Sequence, residues 1–130
     1  MEAFIDNKAF AIGLDIKPTK KNKWVVVGDF HHIQYANESV DIVYTNSLDH
    51  VLDMEQVFSE IHRVLKHPGY FVLEIPRGSD EGKEPNFWEG TWWKKIADVT
   101  LLVEKAGFSW LCQSPYAAKK ETICFSKSNG

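Results

Sequence analysis

The sequence predicts an α/β protein in which a mostly parallel sheet is flanked by helices. Short, β-rich apolar runs alternate along the chain with two amphipathic helical patterns, and parallel strands need crossover segments of this kind. The chain has 130 residues, of which 44% are hydrophobic, and this is enough to form one core without a disulfide or a metal. We therefore expect a single domain over residues 1–130.

Four runs are predicted as buried strands because each is short, apolar and bounded by turn-forming or charged residues. They occupy residues 11–16, 24–28, 41–45 and 70–75. Only the seven residues 17–23 separate the first two runs, and a segment of that length reaches at most ~25 Å when extended. A tight parallel crossover fits this reach, and an antiparallel hairpin is the alternative. Two further strands are expected over residues 108–113 and 122–126.

The first predicted helix covers residues 53–66, where apolar side chains recur at helical spacing. Asp53 is its expected N-cap, and Gln56 stands in the reciprocal capping position. The segment Pro68-Gly69 cannot continue a helix, so the helix should end just before it.

The second predicted helix runs from about residue 91 to residue 106. Gly107 follows it at the position where a left-handed backbone conformation commonly ends a helix. Trp92 lies on the apolar face of this pattern and Trp88 precedes it, so we expect Trp92 to be buried and Trp88 to be exposed.

Composition and charge exclude several functions. A net charge of −3 provides no broad basic surface, so nucleic acid is not an expected partner. No apolar run approaches the ~20 residues that cross a bilayer, and Glu2 and Asp6 stand where a signal peptide carries positive charge. We therefore expect a cytoplasmic protein without a membrane partner, in which Cys112 and Cys124 are reduced core thiols.

Polar residues that directly follow the predicted strands are the candidate site, because ligands of open parallel sheets collect at the carboxyl ends of the strands. Asp15 ends the first strand and suits the ribose hydroxyls of a nucleotide. Asp29 and Phe30 follow the second strand, where a carboxylate can accept from an adenine amino group while the ring packs on the purine. Asn46 and His50 follow the third strand. The alternative is that these acids only cap turns.

The order of these motifs resembles the class I S-adenosylmethionine-dependent methyltransferases. GLDIKP at residues 13–18 resembles the ribose-binding strand end of that family, and VVVGDFHHIQYANESVDIVYTNSLDHVLD at residues 25–53 resembles its adenine-binding acid and fourth strand. HRVLKHPGYFVLEIP at residues 62–76 resembles its helix stop and fifth strand, and EKAGFSWLC at residues 104–112 resembles the entry to its sixth strand. The resemblance implies a Rossmann-like fold.

The resemblance also implies a cofactor and a set of site residues. The cofactor is S-adenosylmethionine, and the implied cofactor-binding residues are Asp15, Asp29, Phe30 and Asn46. Asn46 and His50 are the candidates for a catalytic role. The motifs do not specify the methyl acceptor.

Two features of the family have no counterpart in this sequence. They are its first strand and the glycine-rich loop that holds the methionine end of the cofactor, since the second-strand motif begins only a few residues into the chain. We therefore expect an N-terminally truncated domain that keeps the adenosine half of the site, binds the cofactor weakly or not at all, and is inactive as this chain. The missing strand would leave a gap in the sheet, and a homodimer is the favoured way to fill it.

Two other functions stay open. The chain could be a non-catalytic protein-interaction module that uses its cleft or the Trp88 region. A metal-dependent hydrolase built on His31, His32 and His50 is the less favoured third, because adjacent histidines on an extended segment point apart. No metal site is expected.

Overall fold

The computed structural model describes residues 13–15, 25–27, 29–46, 48, 52–76, 95–117 and 120–128. Along the chain they form β1 (Gly13–Asp15), β2 (Val25–Val27), β3 (Val40–Thr45), α1 (Met54–Val64), β4 (Leu65–Pro76), α2 (Ile96–Lys105), β5 (Phe108–Ala117) and β6 (Lys120–Lys127). The predictions for Trp88 and Trp92 lie outside the described residues.

The strands pair as an α/β protein, as the sequence predicts. β1 and β2 form a parallel pair, so the tight parallel crossover is confirmed over the antiparallel hairpin. The other four strands form one sheet in the order β3-β4-β6-β5. β3 and β4 are parallel, whereas β6 runs antiparallel to both β4 and β5. The sheet is therefore mixed rather than mostly parallel, because the chain returns from β5 to β6 through a hairpin instead of a helix.

The core lies between one face of this sheet and the two helices. Phe71 of β4 is fully buried at its centre, with its ring centroid 5.9 Å from that of Phe58 on α1, 5.6 Å from that of Phe108 and 5.9 Å from that of Phe125. Val103 of α2 is also fully buried. Aromatic pairs at these separations add to the stabilisation that their burial provides.

The opposite face of the sheet is only partly covered, which differs from the prediction of fully buried strands. On this face Ile42 is 52% exposed and Tyr70, its partner in the register, is 43% exposed. From Tyr70 to Ile75, β4 therefore alternates between fully buried side chains and more exposed ones, as expected where one face is packed and the other is not.

Helix α1 begins as predicted and ends earlier than predicted. The Asp53 carboxylate accepts from the Gln56 backbone N–H at 3.1 Å, which confirms the N-cap. The helix ends at Val64 rather than residue 66, because Leu65 is already extended and pairs with Val40 of β3. A bulge follows before regular pairing resumes at Tyr70. Tertiary pairing thus decides where the strand starts.

A glycine at position 69 is required by a close backbone approach. A Cβ placed on Gly69 would lie 2.3 Å from the carbonyl oxygen of Lys66, well inside van der Waals contact. The tight path of the chain through the bulge therefore leaves no room for a side chain at position 69.

The hairpin of β5 and β6 is longer than the two predicted strands, with pairing that continues to Ala117 and Lys120. Cys112 and Cys124 face each other across it, and both are free thiols. Cys112 is exposed, so its prediction as a core thiol is wrong, and Cys124 is half-buried. Neither described helix has the length and apolar character needed to cross a membrane.

Gly107 ends α2 in the left-handed region, with φ of 104°, as predicted. A Cβ at this position would also lie 2.6 Å from Nε2 of His62 on α1.

We expect Gly107→Ala to lower the free energy of unfolding by about 1 to 3 kcal/mol through the backbone alone, and further through the clash. Urea denaturation measures the loss. In a His62→Ala background the clash is absent, so the loss should be smaller; equal losses in both backgrounds would contradict a contribution from His62.

His62 links stability to pH. Its Nε2 is buried without a hydrogen-bond partner among the described residues. Burial, aided by the charges of Lys127 and His67, lowers the pKa of His62 below its ordinary value of 6.5. The unfolded chain therefore binds a proton more readily, so this group's contribution to stability is constant well above pH 6.5 and declines as the pH falls from there through the lowered folded-state pKa.

We expect the free energy of unfolding to decrease on acidification from about pH 7 to about pH 5, and His62→Leu to reduce that slope. Denaturation at a series of pH values provides the measurement. The exposed His32 supplies the matched control, because His32→Ala removes the same side-chain type without disturbing the buried site of His62. An undiminished slope in His62→Leu would show that other groups cause it.

Candidate functional site

The candidate site begins where β2 ends. Asp15 is the last residue of β1 and pairs in register with Val27, the last residue of β2. Asp29 comes two residues after Val27, so the backbone brings the two predicted acids to the same end of this parallel pair. The Asp15 side chain lies outside the described residues.

The chain turns tightly directly after the second strand. The N–H of His32 donates to the carbonyl oxygen of Asp29 at 2.9 Å, which closes a four-residue turn over residues 29–32. Phe30 lies within this turn and is half-buried against the hydrophobic core. The Phe30 side chain is therefore partly packed against the core and partly accessible.

The Asp29 carboxylate is held by one of its two oxygens. Oδ1 accepts from the backbone N–H of His31 at 2.9 Å and lies 2.7 Å from the His31 Nδ1. Among the residues that the structure describes, no hydrogen bond reaches Oδ2, and the side chain is 46% exposed. The backbone hydrogen bond from His31, followed by the side-chain one, lowers the pKa of Asp29. The site therefore presents a charged, solvent-facing acceptor.

His31 connects this carboxylate to the start of α1. Its Nε2 accepts from the backbone N–H of Asp53 at 3.1 Å, and its carbonyl oxygen accepts from the Gln56 side-chain amide at 2.9 Å. Asp53 and Gln56 are the N-cap and capping partner of the helix. The turn that carries Asp29 is thus attached to the helix N-terminus.

The remainder of the loop is attached to the other end of α1 by Arg63. The guanidinium donates to the carbonyl oxygens of Ile33 at 2.6 Å and Tyr35 at 2.8 Å, and to the Asn37 side chain at 2.8 Å. Glu60, one turn earlier, accepts from Nε at 2.5 Å and orients the guanidinium. Two backbone bonds extend the attachment to Glu38 and Ser39, whose N–H groups donate to the last residues of the helix.

Sequence reasoning missed the roles of His31 and Arg63. His31 was considered only as a metal ligand, and Arg63 only as part of the helix-stop motif. The feature of the sequence that could have indicated these roles is the chemistry of the two side chains. A long guanidinium beside a loop rich in carbonyl groups, and an imidazole two residues after an acid, are both able to bridge separate segments.

The other two predicted site residues are Asn46 and His50. Asn46 is exposed and follows the buried Thr45 at the end of β3. His50 lies outside the described residues, so its catalytic role stays a prediction. No group of three or more histidine, cysteine or acidic side chains suited to a metal occurs in the part of the chain that the structure describes.

Comparison with known proteins finds relatives in sequence. A family model described as a methyltransferase domain matches residues 4–73, which is 70 of the 130 residues. A malonyl-[acyl-carrier protein] O-methyltransferase of Coxiella burnetii is 32% identical over 81 residues, a segment that spans 59% of this chain and 28% of that protein. The chain therefore matches well under half of this relative's length.

Solved structures share the fold at low sequence identity. The PH0226 protein of Pyrococcus horikoshii superposes with a TM-score of 0.76 at 21% identity, covering 98% of this chain and 76% of its own. The 1,6-didemethyltoxoflavin-N1-methyltransferase of Burkholderia thailandensis, solved with S-adenosylhomocysteine bound, superposes with a TM-score of 0.80 at 13% identity, covering 98% of this chain and 65% of its own. These similarities establish the fold alone.

The family model covers the motifs at residues 13–18 and 25–53, and the solved structures share the fold. The four-stranded sheet, its flanking helices and the acid-bearing turn after β2 all belong to the part of the chain that the structural neighbours cover. Because the model matches more than half of the residues, the chain belongs to the methyltransferase domain family, of the class I S-adenosylmethionine-dependent type.

Proposed function

We propose that this chain binds the adenosine part of S-adenosylmethionine at the turn after β2, with Asp29 accepting a hydrogen bond from the adenine amino group. The observation that carries the proposal is the state of the Asp29 carboxylate. Its Oδ1 accepts two hydrogen bonds from His31, whereas Oδ2 accepts none within the described residues and the side chain as a whole is 46% exposed. A carboxylate that is held in one orientation, with one oxygen available as an acceptor, can accept a hydrogen bond from an amino group.

Two neighbouring residues extend this site to the rest of the nucleoside. Phe30 directly follows Asp29 in the sequence, and the accessible part of its ring offers an apolar surface for the purine face. Asp15, at the end of the adjacent strand, is the proposed acceptor for the ribose hydroxyls. The S-adenosylhomocysteine bound to the structurally similar Burkholderia enzyme supports the choice of an adenosine ligand.

The same proposal limits what the chain does by itself. The bound cofactor supplies an electrophilic methyl group on a sulfonium, and transfer requires the methyl carbon and the acceptor atom to be held about 3 to 3.5 Å apart and aligned, since a misplacement of about 1 Å is costly. No glycine-rich loop of the family's type occurs in the 130 residues. We therefore propose adenosine binding without methyl transfer for this chain assayed alone, and Asn46 and His50 stay candidates with no step assigned to them.

The alternative function is a protein-interaction module on the same fold. The observation that favours it is the exposure of Trp110 and Leu111 on β5, the last strand in the sheet order. Failure to bind any adenosine compound would favour this alternative. The homodimer stays a prediction.

We expect Asp29→Ala to weaken adenosine binding by roughly 10- to 150-fold, because a hydrogen bond to a charged group contributes about 1.5 to 3 kcal/mol. Isothermal titration calorimetry measures the change. Asp41→Ala is the matched control, since Asp41 is 78% exposed on β3 and its loss changes the net charge equally. Equal affinities in Asp29→Ala and the wild type would contradict the site.

We expect S-adenosylhomocysteine to bind this chain no more than about threefold more tightly than adenosine does, because the methionine half finds few contacts. Competition titrations with both ligands on one preparation give the ratio directly. A preference for S-adenosylhomocysteine of about a hundredfold, or nearly 3 kcal/mol, would show that the chain also holds the methionine end.

A further inference from the structure

The hydrogen bonds around His31 define its protonation state. The backbone N–H of Asp53 can only donate, so Nε2 of His31, 3.1 Å away, must accept and carries no proton. The proton of the neutral ring therefore lies on Nδ1, which then donates to Oδ1 of Asp29 at 2.7 Å. Both ring nitrogens are used, and each is satisfied by a different segment of the chain.

We propose that His31 is a positioning residue that fixes the Asp29 carboxylate and thereby makes the site select 6-aminopurine nucleosides over 6-oxopurine nucleosides. The inference rests on the proposed function, since it concerns the same carboxylate. His31 touches the ligand at no point in this proposal. It acts by deciding which carboxylate oxygen is open and where that oxygen points.

The geometry explains why a positioning residue is needed. A half-exposed aspartate on a turn ordinarily samples several rotamers. Here two donors from His31 converge on Oδ1, so rotation of the carboxylate breaks both bonds. The His31 side chain is itself only 21% exposed and is bound to the helix N-terminus through Asp53. The carboxylate therefore takes its orientation from α1 and not from the turn alone.

The chemistry explains the selectivity. With Oδ1 occupied, Oδ2 can only accept, and the amino group of adenine donates. The 6-oxo group of inosine would instead place a neutral acceptor against the charged carboxylate, so that two acceptors face each other with no proton between them. Sites built to hydrogen-bond a substrate group discriminate strongly against an analogue that lacks the donor. A carboxylate free to rotate away would lose much of this discrimination.

His32 provides a matched control within the same turn. It neighbours His31, but its side chain is exposed and makes no hydrogen bond within the described residues. Its contact with Asp29 is through the backbone N–H, which a substitution preserves. His31→Ala and His32→Ala thus remove the same side-chain type one residue apart, and only the first removes a bond to the carboxylate.

The first experiment compares adenosine and inosine binding by calorimetry in the wild type, His31→Ala, His31→Asn and His32→Ala. We expect a preference for adenosine of at least tenfold in the wild type, which corresponds to one hydrogen bond to a charged group. His31→Ala should lose most of this preference and His32→Ala should keep it. His31→Asn, whose amide can still donate to Oδ1, should restore part of it. Urea denaturation confirms that each variant is folded.

The outcomes separate the two proposals. If Asp29→Ala abolishes the adenosine preference while His31→Ala retains it in full, His31 does not position the carboxylate and this inference is overturned. If the wild type shows no adenosine preference and Asp29→Ala changes nothing, the proposed function fails instead.

A second experiment tests the positioning role without any ligand. Nitrogen-15 NMR of the imidazole side chains distinguishes a protonated from an unprotonated ring nitrogen. At neutral pH we expect His31 to carry its proton on Nδ1, and Asp29→Ala to change that distribution. A His31 ring with its proton on Nε2 would exclude the bond to Asp53 and overturn the inference, whatever the titrations show.

Discussion

The attachment of one loop to helix α1 is the constraint on which the rest of the site depends. Residues 29–39 join the end of β2 to the start of β3, and few of their side chains reach the core. Arg63 holds the middle of this loop with three donated hydrogen bonds, and His31 holds its start. A hydrogen bond that involves a charged group contributes about 1.5 to 3 kcal/mol, so each of the bonds from Arg63 is comparable with the burial of one large apolar side chain.

That attachment gives the acid-bearing turn the rigidity of the core. The buried face of α1, which includes Phe58 and Ile61, packs on the aromatic cluster around Phe71, so the helix is fixed by apolar contacts. The polar side of the same helix then presents Arg63 and the capped N-terminus to the loop. Core packing thus fixes the position of α1, α1 fixes the position of the loop, and the loop fixes the orientation of the Asp29 carboxylate.

The local features of the fold were predictable from the sequence, and the features set by distant contacts were not. The Asp53 cap, the Gly107 conformation and the alternation of strands and helices along the chain follow from residue type and spacing. The boundary at Leu65 does not, because it depends on pairing with Val40 across the sheet. The partners of Arg63 lie 26 to 30 residues away, a separation at which no local pattern carries information.

The candidate site shows the same difference between local features, which were predictable, and features set by distant contacts, which were not. Asp29 was predictable because an acid at a strand end is a local pattern, whereas its orientation depends on His31 and a helix that begins more than twenty residues later. That orientation is supplied by side-chain contacts to α1 and needs no glycine-rich loop, which in the family contributes backbone donors to the methionine end of the cofactor. The two halves of such a site therefore rest on different parts of the fold. Because of this separation, the geometry of the proposed adenosine half does not depend on the residues that would hold the other end of the cofactor.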